Sequence, residues 1–140
     1  MTQSKKVFIG SDVLIAFIDR AKDKHEQAAA FFRYFAQSEY QIFIDYHSII
    51  DVYNHIFTLI SPSLSKDFLR TINLSNLNIV YPDENDAKAA LKTLVTYQSN
   101  DLSYPQALMA CLASRRNISF LCTFSYLPTL FALEIFYLPM

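Results

Sequence analysis

Short apolar runs alternate along this chain with longer segments of helical periodicity. The runs lie at residues 7–9, 41–45, 77–81, 118–122 and 135–138. The run at residues 7–9 is unbroken, which is typical of a strand that is buried on both faces, and the other mainly apolar runs are predicted strands as well. Among the first four runs, two predicted helices separate each run from the next, which predicts a parallel sheet with helices on both faces. Because the chain has 140 residues and no linker or internal repeat, we expect one domain over residues 1–140.

Six helices are predicted between these strands. They cover residues 12–20, residues 24–37, a stretch that Ser48 caps and that ends near Pro62, a stretch from Ser63 or Ser65 to 72, and residues 84–98 and 104–116. Asp83 and Ser103 precede the last two helices as caps, because short side chains with an oxygen accept the free N–H groups of a first helical turn. Pro105 fits the first turn of the last helix.

The only glycine of the chain, Gly10, lies where the first strand passes into the first helix. In a parallel α/β domain, active crevices lie outside the carboxyl ends of the strands, so this turn is where chemistry is expected. Asp12 follows closely, and two interpretations of it stay open. Its carboxylate either caps the free N–H groups of the helix or holds a divalent cation.

A polar row on the third predicted helix is a second candidate. His47, Asp51 and His55 are spaced four residues apart and therefore share one face. A carboxylate between two imidazoles suits a transition metal, but ligands in a straight row, about 6 Å apart, converge poorly on one ion. The alternatives are a polar helix face and a single Asp51 aimed at the end of the sheet. Asp45, at the end of the second strand, either points into the same crevice or caps the helix that follows.

Three further polar residues are candidates for binding phosphate. Gln106 falls in the first turn of the last predicted helix, where its amide can face the crevice and bind a phosphate or a water. An amide is nevertheless a poor ligand for Mg²⁺ compared with a carboxylate. Arg115 and Arg116 end the same helix beside Asn117 and offer a phosphate contact there. The competing interpretation of the arginine pair is a solvated face that favours the C-terminus of the helix.

Charge and glycine content exclude several classes of function. Twelve basic and thirteen acidic residues leave a net charge of −1, so the chain has no overall electrostatic footprint for nucleic acid. A single glycine is incompatible with the glycine-rich loops that bind dinucleotides and nucleotide phosphates.

The cysteines, the N-terminus and the apolar content indicate where the protein is located and whether it has a partner. Cys111 and Cys122 lack metal-binding spacing and are predicted to be buried, reduced thiols of a cytoplasmic protein. The N-terminus is not a signal peptide, and Pro128 with several polar residues argues against a membrane span in residues 118–140. Apolar residues make up 52% of the chain, which indicates that a partner or a second copy covers part of the apolar surface.

Four blocks of the sequence together resemble the PIN domain family. The opening block is Val-Phe-Ile-Gly-Ser-Asp-Val-Leu-Ile-Ala-Phe-Ile-Asp from residue 7, and a helix containing His-Glu-Gln-Ala follows it. The others are Ser-Ile-Ile-Asp-Val-Tyr from residue 48, Leu-Ser-Tyr-Pro-Gln-Ala-Leu-Met-Ala from residue 102, and Phe-Leu-Cys-Thr-Phe-Ser from residue 120. The blocks occur in the family's order and span nearly the whole chain. The family includes the ribonuclease toxins of toxin–antitoxin pairs.

The resemblance implies a three-layer α/β/α domain with a five-stranded parallel sheet. Active members gather acidic residues at the carboxyl edge of the sheet and bind Mg²⁺ or Mn²⁺ there. The metal activates a water that attacks an RNA phosphodiester, and carboxylates suit this work because hard cations prefer oxygen ligands. Relatives commonly form dimers, and toxins hold an antitoxin peptide in a groove.

Most of the acidic positions that the resemblance carries over are substituted in this chain. The family's first acid falls at Gly10, its helix acid at Asp51, its third acid at Gln106 and its fourth at Ser125. One acid of four is retained, and Asp12 occupies a neighbouring slot. Because metal affinity depends on the charge and number of ligands, any Mg²⁺ or Mn²⁺ is expected to be held weakly.

Two hypotheses follow. In the first, the chain is a catalytically impaired PIN-like domain that acts by binding RNA, an antitoxin-like protein or a second copy of itself as a homo-oligomer. In the second, it is a Mg²⁺- or Mn²⁺-dependent endoribonuclease with a reduced site. There Asp12 and Asp51 are the metal ligands and catalytic residues, while Ser11, Gln106 and Ser125 orient water or phosphate.

Overall fold

Five parallel strands form the sheet of the computed structural model, which describes residues 5–97, 102–125, 131 and 133–136. The strands are β1 (Lys6–Ile9), β2 (Gln41–Asp45), β3 (Asn78–Val80), β4 (Phe120–Cys122) and β5 (Glu134–Ile135). Their order across the sheet is β3-β2-β1-β4-β5, and every neighbouring pair is parallel. The predicted parallel sheet is confirmed, although residues 137 and 138 of the predicted fifth strand lie outside the described residues.

In the described residues, six helices connect the strands and cover both faces of the sheet. They are α1 (Ser11–Ile18), α2 (His25–Gln37), α3 (Tyr46–Leu59), α4 (Pro62–Leu74), α5 (Glu84–Thr96) and α6 (Tyr104–Arg115). Successive side chains of a strand point to opposite faces. Val7 and Ile9 accordingly pack with the buried residues of α1 to α4, whereas Phe8 packs with those of α5 and α6. The result is the three-layer α/β/α arrangement.

Helix α6 owes its central position to its small side chains. All seven residues from 107 to 113, three of them alanines, are buried, so this helix is apolar around its circumference. A helix of that kind is stable only inside a protein, where other elements cover every face. It packs mainly against α5 and is followed directly by β4.

The helix starts agree with the predicted caps in two cases and differ in two. Asp83 caps α5 and Ser103 caps α6, with Pro105 in its first turn, as predicted. Ser48 does not cap α3: the helix starts two residues earlier, and the Asp45 carboxylate accepts both the N–H and the hydroxyl of Ser48 at 3.0 and 2.8 Å. Ser61 caps α4, because Pro62 already fits the first helical position.

The register of the strands places the C-terminal ends of four strands at one edge of the sheet. Ile9 is paired with Cys122, and Asp45 with Val80, so each of these strands ends level with its neighbour. The next residues, Gly10, Tyr46, Tyr81 and Thr123, therefore lie together at what we call the carboxyl edge. This is where a parallel sheet places its functional groups.

Within the part of the chain that the structure describes, none of the helices is both long and apolar enough to cross a membrane. Cys111 and Cys122 are buried and carry free thiols, as predicted.

Candidate functional site

Asp12 connects the start of α1 to the chain that follows β4. Its Oδ2 accepts the hydroxyl of Thr123 and the backbone N–H of Phe124, both at 2.8 Å. The same oxygen lies 3.1 Å from the Ser125 N–H and 3.3 Å from the Ser125 hydroxyl, which also donate to it. Its Oδ1 accepts the N–H of Val13 at 2.8 Å. An ionised carboxylate offers about four acceptor positions, and these five contacts engage both oxygens.

This arrangement agrees with the capping interpretation in part, because Asp12 accepts the Val13 N–H of the first helical turn, and the metal-binding role of Asp12 stays a prediction. The residue before α1 is Gly10, which has no side chain, and Asp12 stands one position inside the helix. Its carboxylate turns across the carboxyl edge to a loop 111 to 113 residues away along the chain. Together, burial and the charge of Asp12 raise the pKa of the Cys122 thiol well above its ordinary value.

Gly10 leaves the space that the Asp12 carboxylate fills. A Cβ atom at position 10 would lie 2.8 Å from Asp12 Oδ1, a separation that Cβ atoms essentially never show. The backbone of Gly10 is extended, with φ −86° and ψ 161°, so conformation does not require a glycine here. The lack of a side chain permits close approach instead, and the N–H of Gly10 also donates to the Cys122 carbonyl at 2.9 Å.

Asp51 is the most accessible carboxylate among the site candidates. Its side chain is 41% exposed, and Oδ2 lies 3.9 Å from Nδ1 of His47. His55 turns elsewhere: its Nε2 lies 3.0 Å from Asp19 Oδ2 at the end of α1. A hydrogen bond from His55 is the main reason why the pKa of Asp19 lies below its usual value. The row of His47, Asp51 and His55 therefore does not converge on one point.

Two other candidates at this edge cap helices. Asp45 is buried and caps α3, which confirms the capping interpretation. Gln106 forms a reciprocal capping box with Ser103: Gln106 Oε1 accepts the Ser103 N–H at 2.9 Å, and Ser103 Oγ accepts the Gln106 N–H at 3.3 Å. This use of the Gln106 amide follows a general pattern in which a Gln three positions after a Ser cap reaches back to it. A role of Gln106 in binding phosphate stays a prediction.

Arg115 and Arg116 bind a buried carboxylate on the neighbouring helix. Asp86, which is 1% exposed, forms an ion pair with Arg115 Nε at 3.1 Å and accepts a hydrogen bond from Arg116 Nη2 at 3.0 Å. Burial alone would raise the pKa of Asp86, but hydrogen bonds from Arg116 and the Asp83 N–H, with the charges of both arginines, lower it below its usual value. The pair lies at the amino end of β4, away from Thr123. Its predicted phosphate contact stays a prediction.

The carboxyl edge also carries aromatic side chains that the sequence analysis did not single out. Tyr46 and Tyr81 are 47% and 64% exposed, and their ring centroids lie 5.4 Å apart. Tyr104 packs edge-on against His47 with 6.0 Å between centroids. Tyr46 directly follows a predicted strand, but only the register of β2 with β3 reveals that it meets Tyr81.

Two carboxylates at this edge, those of Asp12 and Asp45, are engaged in hydrogen bonds within the protein. Among the described residues, no three His, Cys, Asp or Glu side chains lie close enough together to hold one metal ion. Ser11 and Asp51 lie on the helices that start here, and the carboxylates of Asp12 and Asp45 already accept hydrogen bonds from the protein. Within the part of the edge that the structure describes, the groups open to a ligand are the tyrosine rings and the carboxylate of Asp51.

A separate apolar depression, which we call the helical groove, lies among α1, α2, α3 and α4. Its volume is about 490 Å³, and its lining is almost wholly apolar. Leu14, Phe17, Ile18, Ile60, Leu64 and Phe68 are among the lining residues. Phe17 and Leu64 are 41% and 50% exposed in the chain as it stands. A concave apolar surface of this size is typical of a binding site.

Comparisons with known proteins agree on the fold. The chain is similar to Mycobacterium tuberculosis VapC20, described as a sarcin-ricin loop cleaving toxin, with a TM-score of 0.71 and 13% identity over 82% of this chain and 86% of that one. It is also similar to FitAcB of Neisseria gonorrhoeae, with a TM-score of 0.68 and 10% identity over 94% of this chain and 96% of that one. At such identities the likeness shows the fold alone.

A third similar structure is Rickettsia felis VapBC2 bound to a DNA fragment from the promoter, with a TM-score of 0.64 and 16% identity over 86% of this chain and 87% of that one. A search of the curated proteins found no match. The model of the family described as PIN domain matches residues 7–125, which is most of the chain. This chain therefore belongs to the PIN domain family.

Proposed function

We propose that this PIN domain is catalytically impaired and acts by binding a protein partner of the antitoxin kind. One observation carries the first half of the proposal. The carboxylate of Asp12 accepts five hydrogen bonds from Val13 and residues 123–125, so its oxygens are committed to the protein. Several of these hydrogen bonds would have to break before the carboxylate could bind a cation.

The other positions of the carboxyl edge do not supply metal ligands in place of the Asp12 carboxylate. Mg²⁺ takes six oxygen ligands, which are usually one or two protein carboxylates together with waters and substrate phosphates. Gly10 has no side chain that could serve as a ligand, and Gln106 is held by Ser103. The hydroxyl of Ser125 donates to Asp12. Among these positions, the carboxylate of Asp51 is the accessible one. These residues do not fit a resident Mg²⁺ or Mn²⁺ ion, which supports impaired catalysis.

The helical groove supports the second half of the proposal. It is preformed, about 490 Å³ in volume and lined by large aliphatic and aromatic side chains. Apolar side chains on one face of a peptide helix would fill such a groove. Solved structures similar to this chain include Rickettsia felis VapBC2 and a toxin–antitoxin complex from Klebsiella pneumoniae, the latter with a TM-score of 0.59. We therefore assign an antitoxin-like partner to the groove of this chain.

A charge placed in the groove is expected to abolish partner binding. Leu64 lines the groove and is 50% exposed, so Leu64→Glu puts a carboxylate into the apolar contact with little effect on the core. Leu74→Glu is the matched control, since Leu74 ends the same helix, is 88% exposed and is not part of the lining. Tagged protein is purified from its native host, and bound proteins are identified and counted by mass spectrometry.

We expect one small protein to co-purify in fixed ratio with the unaltered chain and with Leu74→Glu, and to be lost with Leu64→Glu. Recovery of the same protein with all three chains would contradict the groove as its binding site. If RNA co-purifies in fixed ratio and no protein does, the partner is RNA, an alternative that the sequence also left open.

The alternative is a Mg²⁺- or Mn²⁺-dependent endoribonuclease that uses Asp12 and Asp51. Asp51 favours it, since this carboxylate is accessible and next to His47. The two functions separate in an RNA cleavage assay with added Mn²⁺, in which Asp51→Asn is the essential control. Cleavage that needs the cation and disappears with Asp51→Asn would establish the alternative. Location in the cytoplasm stays a prediction in either case.

A further inference from the structure

A second cavity lies between α5 and α6, on the side of the sheet opposite the helical groove. We call it the α5–α6 pocket, and its volume is about 400 Å³. Its lining comes from the second half of α5, the end of α6 and the ring of Phe131. Cavities of about 300–1,000 Å³ are typical of sites that bind small molecules. Neither half of the proposed function uses this pocket.

The inner part of the pocket is apolar because small side chains face each other there. Thr93 of α5 lies opposite the buried Cys111 of α6, with 3.4 Å between Oγ1 and Sγ. Ala89 lies one turn before Thr93 on the same face of α5. The Thr93 hydroxyl donates to the Ala89 carbonyl at 2.8 Å, so this polar atom is paired within the protein. The inner part therefore suits an apolar molecule, which is stabilised by leaving water.

The charged residues of the lining are both cations. Lys92 is exposed, and the side chain of Arg115 is 43% exposed. Lys92 takes part in none of the ion pairs among the described residues. Arg115 and Arg116 share the single carboxylate of Asp86, so one negative charge faces two positive ones. The mouth of the pocket is therefore positive in a chain whose net charge is −1, and it favours an anion.

The donors at the mouth match an anion of one charge. Arg115 Nε is paired with Asp86, and Arg115 Nη1 donates to the Asn85 carbonyl at 3.2 Å. A ligand would therefore meet Nη2 of Arg115 and the ammonium group of Lys92. A carboxylate has one charge and two oxygens that can accept these donors in charge-assisted hydrogen bonds. A phosphate group, with nearly two charges and three acceptor oxygens, requires more donors.

The backbone of Phe131 is strained at the same place. Its φ is 53°, in the left-handed region that bulky residues rarely adopt. Residues held in such conformations cluster at functional sites, including ligand clamps. Phe131 lines the pocket and is 49% exposed, so an apolar ligand that packs on the ring would cover apolar surface that now faces water.

We propose that the α5–α6 pocket binds a small amphipathic anion, a molecule with an apolar body and a carboxylate at one end. The carboxylate lies between Lys92 and Arg115, and the body packs on Phe131. The lining extends along α5 from Ala89 to Thr96. At about 1.5 Å per residue this is about 10 Å, the length of an extended chain of roughly eight carbon atoms.

The test is isothermal titration calorimetry of the full chain with octanoate and with 1-octanol, which has a similar apolar body and no charge. We expect octanoate to bind saturably, one molecule per chain, and octanol to bind at least tenfold more weakly. Lys92→Glu should weaken octanoate binding at least tenfold and leave octanol binding unchanged. Lys88→Glu is the matched control, because Lys88 lies one turn earlier on α5, pairs with Glu84 and is not part of the lining.

Lys88→Glu makes the same change in net charge as Lys92→Glu, and it should bind octanoate like the unaltered chain. The proposal would be overturned if octanoate failed to bind below the millimolar range. Octanol binding as tight as octanoate binding, or an equal loss of octanoate affinity in the two lysine variants, would also overturn it.

Two further variants locate the ligand. Ala89→Leu fills the inner part of the pocket and should abolish binding of both molecules, while circular dichroism checks that the chain is folded. Leu64→Glu alters the helical groove and should leave octanoate binding intact. Unchanged octanoate affinity in folded Ala89→Leu, or its loss in Leu64→Glu, would contradict the assigned position. Because Lys92 does not line the groove, Lys92→Glu should keep the groove partner, and failure of either proposal is distinguishable from failure of the other.

Discussion

Replacing Asp12 with alanine is expected to lower the free energy of unfolding by about 3 kcal/mol. The change removes five hydrogen bonds to a carboxylate, and it leaves donors of Thr123, Phe124 and Ser125 without their acceptor. Hydrogen bonds to charged groups are worth about 1.5–3 kcal/mol each, and water will replace some of these at the partly exposed edge. Urea denaturation followed by circular dichroism measures the change. Asp51→Ala is the control and should alter stability by less than about 0.5 kcal/mol.

A double-mutant cycle with Gly10 tests whether the two positions are coupled. Gly10→Ala alone should cost about 1–3 kcal/mol, because the new Cβ would lie 2.8 Å from Asp12 Oδ1. In the Asp12→Ala background that oxygen is absent, so the same change should cost much less. Equal costs in both backgrounds would show that the carboxylate does not occupy the space of the missing side chain. A stable Asp12→Ala protein would contradict its structural role.

Replacing Asp86 with alanine is expected to destabilise the fold by about 2–3 kcal/mol. Asp86 is almost fully buried, binds both Arg115 and Arg116, and closes the capping box of α5 with Asp83. Its removal takes hydrogen bonds from the start of α5 and an ion-pair partner from Arg115 and Arg116, which are 43% and 32% exposed and gain water in its place. Chemical denaturation measures the effect, and Glu84→Ala is the control. Glu84 forms an exposed pair with Lys88 on the same helix, and its loss should cost less than about 0.5 kcal/mol.

The pH dependence of stability gives a second measurement on Asp86. Its pKa in the folded chain lies below its usual value of 3.8, so folding favours the ionised form. The stability gained from this shift is fully present above that usual value and is lost as the pH falls through the folded pKa. The unaltered chain should therefore lose more stability than Asp86→Ala between neutral pH and acid. Parallel acid profiles for the two chains would contradict the role assigned to this ion pair.

The sequence predicts the fold well because the signals for it are local. The runs at residues 41–45 and 118–122 and the caps at Asp83 and Ser103 depend on neighbours a few residues away. The start of α3 was harder to predict, since Asp45 and Ser48 are both good caps. Packing of the strand end decides between them, and Asp45 is the residue that is buried there.

The site is less predictable because its contacts span the chain. No periodicity connects Asp12 with residues 123–125, and none connects Asp86 with Arg116, 30 residues further on. Each pair forms only once the sheet and the helices are assembled. Capping boxes are different, because their members are three residues apart. Gln106 could have been recognised as the partner of Ser103 from that spacing alone.

The most direct test of the central claim, that the carboxyl edge does not anchor a divalent cation, is a Mn²⁺ titration followed by electron paramagnetic resonance. The six-line signal of free Mn²⁺ disappears when the ion binds to protein. At about 10⁻⁴ M protein and Mn²⁺, a concentration at which even weak extracellular calcium modules begin to bind, we expect the free signal to keep its full intensity. A signal that falls with added protein and recovers in Asp51→Asn would contradict the claim.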